Sequence, residues 1–506
     1  MRVEVRPVSR LRGADPIKVM PAIEPVFDRL CASAIDLSRV SVVCDWIQYR
    51  ANFREIADFR PVLAVPWRTG AEPENAEPEW ADTAGRPPET ALEVALDLRR
   101  CGEADIEAIV GRLLREHADP ALSDRVPIEP WRPAAQSCIW QFNSLYWQAL
   151  SSWEQAAGRE YEQALPGGQS DARNVEAVRE LILELFKVWD DLDARGALPA
   201  ELYVVELGVG NGGQARTWLD EFAALSAGHS RDYYRRLQYL MGDYSPHVLG
   251  RALKSVAPHA DHVNALVVEA MHPAVSLGFL RGKAFLVYVS NVYDNLPTDE
   301  LASIGGRTYQ VEVRATLAAA DAQGIAQPLG VAAGEIPGLV GKLLRLGPAL
   351  LSEAMPQHFD STESAVRFWQ QVWAALRLQE RYAPLPALDR YQVTADMTGD
   401  LLLPQLESHG DIRVHASNGA LSSFVQTLPL LHPFGRLQCH DLFLTDVRQY
   451  RSGFYGPGKY DGSVVNWING PLLQRIGSRH GFDVRISPFA QRPSSNVKTL
   501  TAQVRE

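Results

Sequence analysis

Short apolar runs, each closing on a polar or acidic residue, recur along the middle of the chain between longer stretches of helical period. The runs are Tyr203–Glu206, Leu237–Asp243, Val263–Glu269 and Ala284–Ser290. They are too short for helices and are apolar at successive positions, which predicts strands of a parallel sheet covered on both faces. Stretches 172–193 and 246–256 place apolar residues three and four apart and predict the helices between them. A further strand is predicted at Gly435–Asp441, followed by a closing helix over 464–479 and a strand at Phe482–Ile486. The interval before that strand reads as mainly helical. It includes 336–346 and 365–377, the latter with Phe368, Trp369, Val372 and Leu376 on one stripe.

Ahead of the first run lie a helical pattern over 22–37, a β-like run Val40–Cys44 and a helix carrying Ile106, Val110 and Leu113. Residues 69–90 are rich in Pro, Glu and Ala and read as a linker. The stretch from Trp140 to Leu165 holds Trp140, Phe142, Tyr146, Trp147, Trp153 and Tyr161, expected to be helical and packed in the core. The expected organisation is therefore an N-terminal accessory region (1–140), the first part of a Rossmann-like α/β domain (141–305), a mainly helical insertion acting as a lid (306–430), and the completion of the domain (431–506).

Composition narrows the classes. A chain of 506 residues that is 46% hydrophobic can bury more than one core, and a net charge of −11 disfavours nucleic-acid binding as the main task. Five cysteines (Cys31, Cys44, Cys101, Cys138, Cys439) are scattered, with no C-x-x-C pair. That pattern predicts reduced thiols, and with no run of 18 apolar residues a soluble, cytoplasmic protein is expected. His259, Asp261 and His262, with His247 and His272 nearby, fit no standard metal spacing, so no metal is expected. Gly453–Lys459 mimics a phosphate-binding loop, but Tyr460 stands where a Ser or Thr would hold Mg²⁺, and a turn-rich loop is the better reading. Arg448, Tyr450 and Arg451 read as a solvated loop, with a polar site wall as the alternative.

The chemistry concentrates at Glu206-Leu-Gly208-Val-Gly210-Asn-Gly212-Gly213. A strand, a glycine turn and a helix bring backbone N–H groups against a nucleotide-like ligand. Gly208, Gly210 and Gly213 match a dinucleotide fingerprint by letter. Glu206, two residues before the first glycine, instead matches the E-x-G-x-G-x-G pattern of S-adenosylmethionine (SAM) enzymes. There the acid and the glycines Gly208, Gly210 and Gly212 lie at the methionine part. Asp243, ending the second run and followed by Tyr244, suits the ribose, because a carboxylate can accept from two vicinal hydroxyls. Glu269 ends the third run, where the adenine amino group is expected. Ser290 and Asn291 follow the fourth, beside the reactive sulfonium.

These motifs resemble the MidA-like class I methyltransferases, the family that includes the mitochondrial complex I assembly arginine methyltransferase. The likeness covers about 165–300, with its E-L-G-x-G-x-G strand and its acid-x-S-P step at Asp243–Pro246. A third motif, N-E-x-x-D-A-L-P, is matched by Ser290–Pro297. Near the end, Asp441-Leu442-Phe443 resembles the family's D-Y-G, and Val465-Asn466-Trp467 its V-D-F. Ser290-Asn291 stands where the family has Asn-Glu, and Asn466 where it has Asp. The resemblance implies SAM-dependent methyl transfer, with Asp294 and Asn291 contacting the acceptor and Asp294 acting as base or cation partner. The expected partner is the methyl acceptor, a protein side chain or a small molecule; no nucleic acid or membrane is expected, and a homodimer is possible. The alternatives are a SAM-binding assembly or scaffold protein that has lost catalysis, and less favourably an NAD(P)-dependent oxidoreductase.

Overall fold

The computed structural model describes residues 1–6, 20–45, 51–63, 91–100, 105–161, 174–407, 410–493 and 495–505. The linker expected at 69–90 lies outside the described residues. Seven strands build the sheet that carries the glycine turn: β1 (Leu202–Leu207), β2 (Leu237–Asp243), β3 (Val263–Val267), β4 (Ala284–Ser290), β5 (Leu431–Asp441), β6 (Phe482–Pro488) and β7 (Lys498–Val504). Their spatial order is β3-β2-β1-β4-β5-β7-β6. Strands β1 to β5 pair in parallel, and β7 runs antiparallel between β5 and β6. This is the Rossmann-like sheet of class I methyltransferases, the expected fold class.

Seven helices matter for the site: α1 (Cys138–Gln148), α2 (Val175–Ala194), α3 (Gly213–Gly228), α4 (Pro246–Ser255), α5 (Thr362–Ala375), α6 (Asn418–Thr427) and α7 (Gly470–Arg479). On one face of the sheet, Ile182, Trp189, Trp218 and Phe222 of α2 and α3 pack with Val204 and Tyr239. On the other, Leu421, Phe424, Leu472 and Ile476 of α6 and α7 pack with Val205, Leu240 and Val287. Successive residues of β1 thus enter different cores, which is why the run is apolar throughout. Each such side chain contributes about 1.5–3 kcal/mol by leaving water. The closing segment differs from expectation at its start. Ser463–Val465 is a short strand paired with Gly458–Tyr460, and helix α7 begins only at Gly470, with Asn469 accepting from the Leu472 N–H at 3.2 Å.

The second sheet corrects the expected insertion. Arg307–Ala318 is a 12-residue strand paired antiparallel with Glu300–Ile304 and with Arg377–Pro384, and Ile412–His415 adds to the edge. This segment is therefore mixed rather than mainly helical. Its strands continue into Ala57–Val62, Ala91–Asp97, Val40–Asp45 and Arg2–Val5, so the N-terminal region and the insertion share one ten-stranded sheet. Charge hides these strands in the sequence. Arg377–Pro384 buries Leu378, Glu380 and Tyr382 on one face, a period of two with an acid at its centre. Glu380 is neutralised there by Arg54 at 2.7 Å, Arg413 at 2.8 Å and Arg60 at 3.0 Å, and these cations hold its carboxyl well below the usual range against the effect of burial. Among the described residues no helix is long and apolar enough to cross a membrane.

Candidate functional site

Strand order reverses between β1 and β4, which opens a crevice at the carboxyl ends of the strands. A cavity of about 610 Å³ occupies it, within the range of small-ligand sites. Glu206, Gly208, Gly210, Asp243, Tyr244 and Glu269 all line this cavity, as do Ser290, Asn291 and Asp294. Gly212 does not.

The glycines do different jobs. Gly208 has φ +75° and lies so close to Val292 that a Cβ would sit 2.3 Å from its Cγ2. Gly210 has φ +55°, and a Cβ there would meet only the Tyr161 hydroxyl, at 2.7 Å. Gly212, with φ +79°, abuts α4: a Cβ would stand 2.7 Å from Ala252 Cα and 2.9 Å from its carbonyl oxygen. Gly212 therefore lets a turn and a helix approach, and it packs on α4 outside the cavity lining. The turn is tied to β2 by the Gly208 N–H donating to the Gly242 carbonyl at 2.8 Å.

Asp243 lies across from the turn. Burial pushes its carboxyl up to about 6, while the backbone N–H groups of Ser245, Gly210 and Tyr244 pull the other way. The Ser245 N–H bond is 3.0 Å long. The turn and the expected ribose carboxylate are thus adjacent, held by the Gly208 and Val209 N–H groups donating to the carbonyl of Gly242, the residue before Asp243. Tyr244 donates its hydroxyl to the carbonyl of Ser144 on α1, which lines the same cavity. Glu206 is buried in β1 and accepts the Tyr239 hydroxyl at 2.7 Å. Glu269 falls two residues past the end of β3 and is exposed. Asn291 adopts φ +51°, a left-handed conformation that asparagine tolerates, and its N–H donates to His440 O at 3.0 Å.

Among the described residues, two buried polar groups in the cavity lack protein partners. Neither the oxygen nor the nitrogen of the Gln214 amide is hydrogen-bonded to described residues, and neither is the Ser290 hydroxyl. Gln214 is 7% exposed, in the first turn of α3, where backbone N–H groups also point outward. Leaving such a group unpaired costs about 1–3 kcal/mol, so each favours a polar partner, water or ligand, from the cavity it lines. Gln214 was not among the expected site residues. Its signal was position: an amide directly after the last glycine of the turn.

Asp294 differs most from its expected role. Burial and the neighbouring carboxyl of Asp441 push it well above the usual carboxylate range, and the two share a hydrogen bond. Asp441 keeps the charge, because it accepts four backbone N–H groups: Val292 at 3.1 Å, Tyr293 at 2.8 Å, Asp294 at 3.3 Å and Leu442 at 2.8 Å. Asp294 therefore carries the proton and donates it to Asp441, while accepting Asn295 Nδ2 at 2.7 Å. That arrangement stands apart from the base or cation partner expected of Asp294. Asn466 holds the same loop by donating its N–H (2.9 Å) and its side-chain amide (2.7 Å) to the Asp294 carbonyl.

The aromatic segment expected to be core is also the wall of the site. Trp140, Asn143, Ser144 and Trp147 of α1 line the cavity together with Tyr161. Asn143 Nδ2 donates to the Asn295 carbonyl at 2.8 Å, and Trp147 Nε1 to the Asn295 side chain at 3.3 Å. Helix α1 is thereby fastened to the loop after β4. The other constellations are structural. Lys459 is buried, which pushes its pKa well below the usual lysine range, and its Nζ donates to the carbonyls of Trp373 (2.5 Å) and Leu376 (2.7 Å) at the end of α5. His259 bonds Tyr234 at 2.6 Å and Asp220 at 2.9 Å. Tyr450 is buried against His415, Arg448 is paired with Asp446, and neither they nor Arg451 line the cavity.

No protein-family model matches the chain, and no curated protein matches it by sequence. Among solved structures, it is similar to a candidate methyltransferase from Burkholderia thailandensis bound to S-adenosyl-homocysteine, with TM-score 0.43 and 13% identity over 74% of this chain and 88% of that one. It is also similar to the CcbJ methyltransferase from Streptomyces caelestis, with TM-score 0.32 and 11% identity over 72% of this chain and 99% of that one. At scores of this size the fold class is carried by the strand order itself.

Proposed function

We propose that the protein is a SAM-dependent class I methyltransferase, related to the MidA-like family and divergent from it beside the transfer site. The observation that carries this reading is the cavity at the strand-order reversal. It combines a glycine turn, a ribose-type carboxylate beside that turn, and two buried polar groups, of Gln214 and Ser290, that have no hydrogen-bond partner among the described residues. These residues fit SAM. Gly208 and Gly210 leave room for close approach, Glu206 suits the methionine ammonium, Asp243 the ribose hydroxyls and Glu269 the adenine edge. Bound SAM supplies an activated methyl group; the chain's own residues align it, exclude water and hold the loop Ser290–Asn295 in place through Asp441 and Asn466. Titration calorimetry with SAM tests the reading: one site per chain is expected, and NADPH binding with no SAM binding overturns it.

A second reading, a SAM-binding scaffold without catalysis, draws on one feature. The carboxyl nearest the expected transfer site, Asp294, is committed to Asp441. Saturable SAM binding with no conversion to S-adenosyl-homocysteine for any acceptor is its signature.

A further inference from the structure

The wall contributed by α1 and the segment after it consists of Trp140, Tyr146, Trp147, Leu150 and Tyr161, joined by Leu296. Trp147 and Tyr161, both half-buried, stand 5.5 Å apart at 82° and offer flat apolar surface to a ring, and the buried Tyr146 backs Trp147 edge-to-face at 4.9 Å and 76°. Among the described lining residues, two carboxylates are engaged by the protein and three are assigned to the cofactor on the reading above. Asp461 accepts Tyr146 at 3.0 Å, Trp153 at 3.1 Å and Arg159 at 2.9 Å. Asp294 carries the proton it shares with Asp441, and Glu206, Asp243 and Glu269 are assigned to the cofactor. No histidine, lysine or cysteine occurs among the described residues that line the cavity.

Two consequences follow from that inventory. A guanidinium or ammonium acceptor leaves water here without an anion to compensate it, which is costly. A weakly acidic alcohol, or a protonated amine, finds no histidine, lysine or cysteine among the described lining residues to take its proton near neutral pH. The acceptor must therefore be flat, largely apolar and able to ionise on its own.

We propose, resting on the methyltransferase reading, that the acceptor is a small phenolic or enolic compound methylated on oxygen as its anion. Its hydroxyl proton leaves to solvent before transfer. A lone pair of that oxygen forms the O–CH3 bond while the S–CH3 bond of the sulfonium breaks, and the electron pair of the broken bond stays on sulfur. The products are a neutral ether and S-adenosyl-homocysteine. Opposite charges on oxygen and sulfur cancel along the way, which a water-poor cavity favours.

The test uses the full-length protein, SAM, and a panel of phenol, 4-nitrophenol, catechol and 4-nitrocatechol, with agmatine and an arginine-rich peptide as cationic counterparts. The readout is S-adenosyl-homocysteine. Turnover is expected with the phenols at least about tenfold faster than with either cation, with the midpoint of the kcat/KM–pH profile tracking each acceptor's own hydroxyl pKa, down from about 10 for a simple phenol. Faster methylation of a cation, or a midpoint common to all acceptors, overturns the proposal. So does calorimetric SAM binding without turnover of any panel member, which leaves the cofactor reading standing. Absence of SAM binding instead removes the methyltransferase reading itself.

Discussion

Gly212 and Gly210 are two residues apart in one turn, yet the structure assigns them opposite duties, and alanine substitution separates the two. In Gly212→Ala the new Cβ meets backbone: Ala252 Cα at 2.7 Å and its carbonyl oxygen at 2.9 Å. Backbone cannot swing aside, so α4 or the turn must move, a cost of about 1–3 kcal/mol for overpacking. The left-handed φ of +79° adds about 1–2 kcal/mol for a residue with a Cβ. The sum is roughly 2–5 kcal/mol, or a fall in Tm of roughly 5–20 °C at 2–4 °C per kcal/mol. In Gly210→Ala the Cβ meets only the end of the Tyr161 side chain, at 2.7 Å, and φ is +55°. Only the conformational cost of about 1–2 kcal/mol applies, but the methyl stands in the cavity. Thermal unfolding of the two variants, with SAM calorimetry on each, reads both effects. Gly212→Ala should lose far more stability, and Gly210→Ala should bind SAM at least about tenfold more weakly. A Gly212→Ala protein with wild-type Tm and abolished SAM binding refutes the division of labour.

Three further outcomes are expected. Asp243 has a folded pKa raised from 3.8 to about 6, so the folded state binds the extra proton. Its contribution to stability is therefore full below pH 4 and is lost as pH rises through 6, about 3 kcal/mol over the window. Urea unfolding of Asp243→Asn should lack that part of the pH slope, and wild-type SAM affinity should fall by up to about tenfold per pH unit below 6, because the ribose is held by the ionised form. Because Gln214 and the Ser290 hydroxyl have no hydrogen-bond partners among the described residues, Gln214→Ala and Ser290→Ala should weaken SAM about 5- to 100-fold by calorimetry while leaving Tm within a few degrees. Asp441→Ala strips the acceptor from four backbone N–H groups and should cost about 3–5 kcal/mol in chemical unfolding; a loss below 1 kcal/mol contradicts the anchoring role.

The sheet that carries the site could be read from the sequence because its strands are buried on both faces and stay apolar from end to end. Strands β1, β2 and β4 fall within a residue of their predicted runs. β7 was not predicted: in Lys498–Val504 only Leu500 and Ala502 are buried, and the polar residues between them read as a tail. The second sheet was obscured for a different reason. Glu380, Arg413 and Glu300 occupy buried strand positions, and their mutual neutralisation, which makes burial tolerable, comes from segments far away in sequence. Nine of the ten expected site residues line the cavity, since each strand end announces itself by a polar residue after an apolar run. Gly212 shows the limit of reading letters: a glycine needed for ligand approach and one needed for helix approach look alike. Asp294 shows another. Its protonation is imposed by Asp441, nearly 150 residues later, and nothing local signals it.

The central claim is that the cavity over the glycine turn is a SAM site. The most direct measurement is calorimetric titration of SAM into the wild-type chain and into Gly210→Arg, with circular dichroism confirming that the variant is folded. The account predicts saturable one-to-one binding to the wild type and none to the folded variant. Equal SAM affinity in the two proteins, or no binding to either, contradicts it.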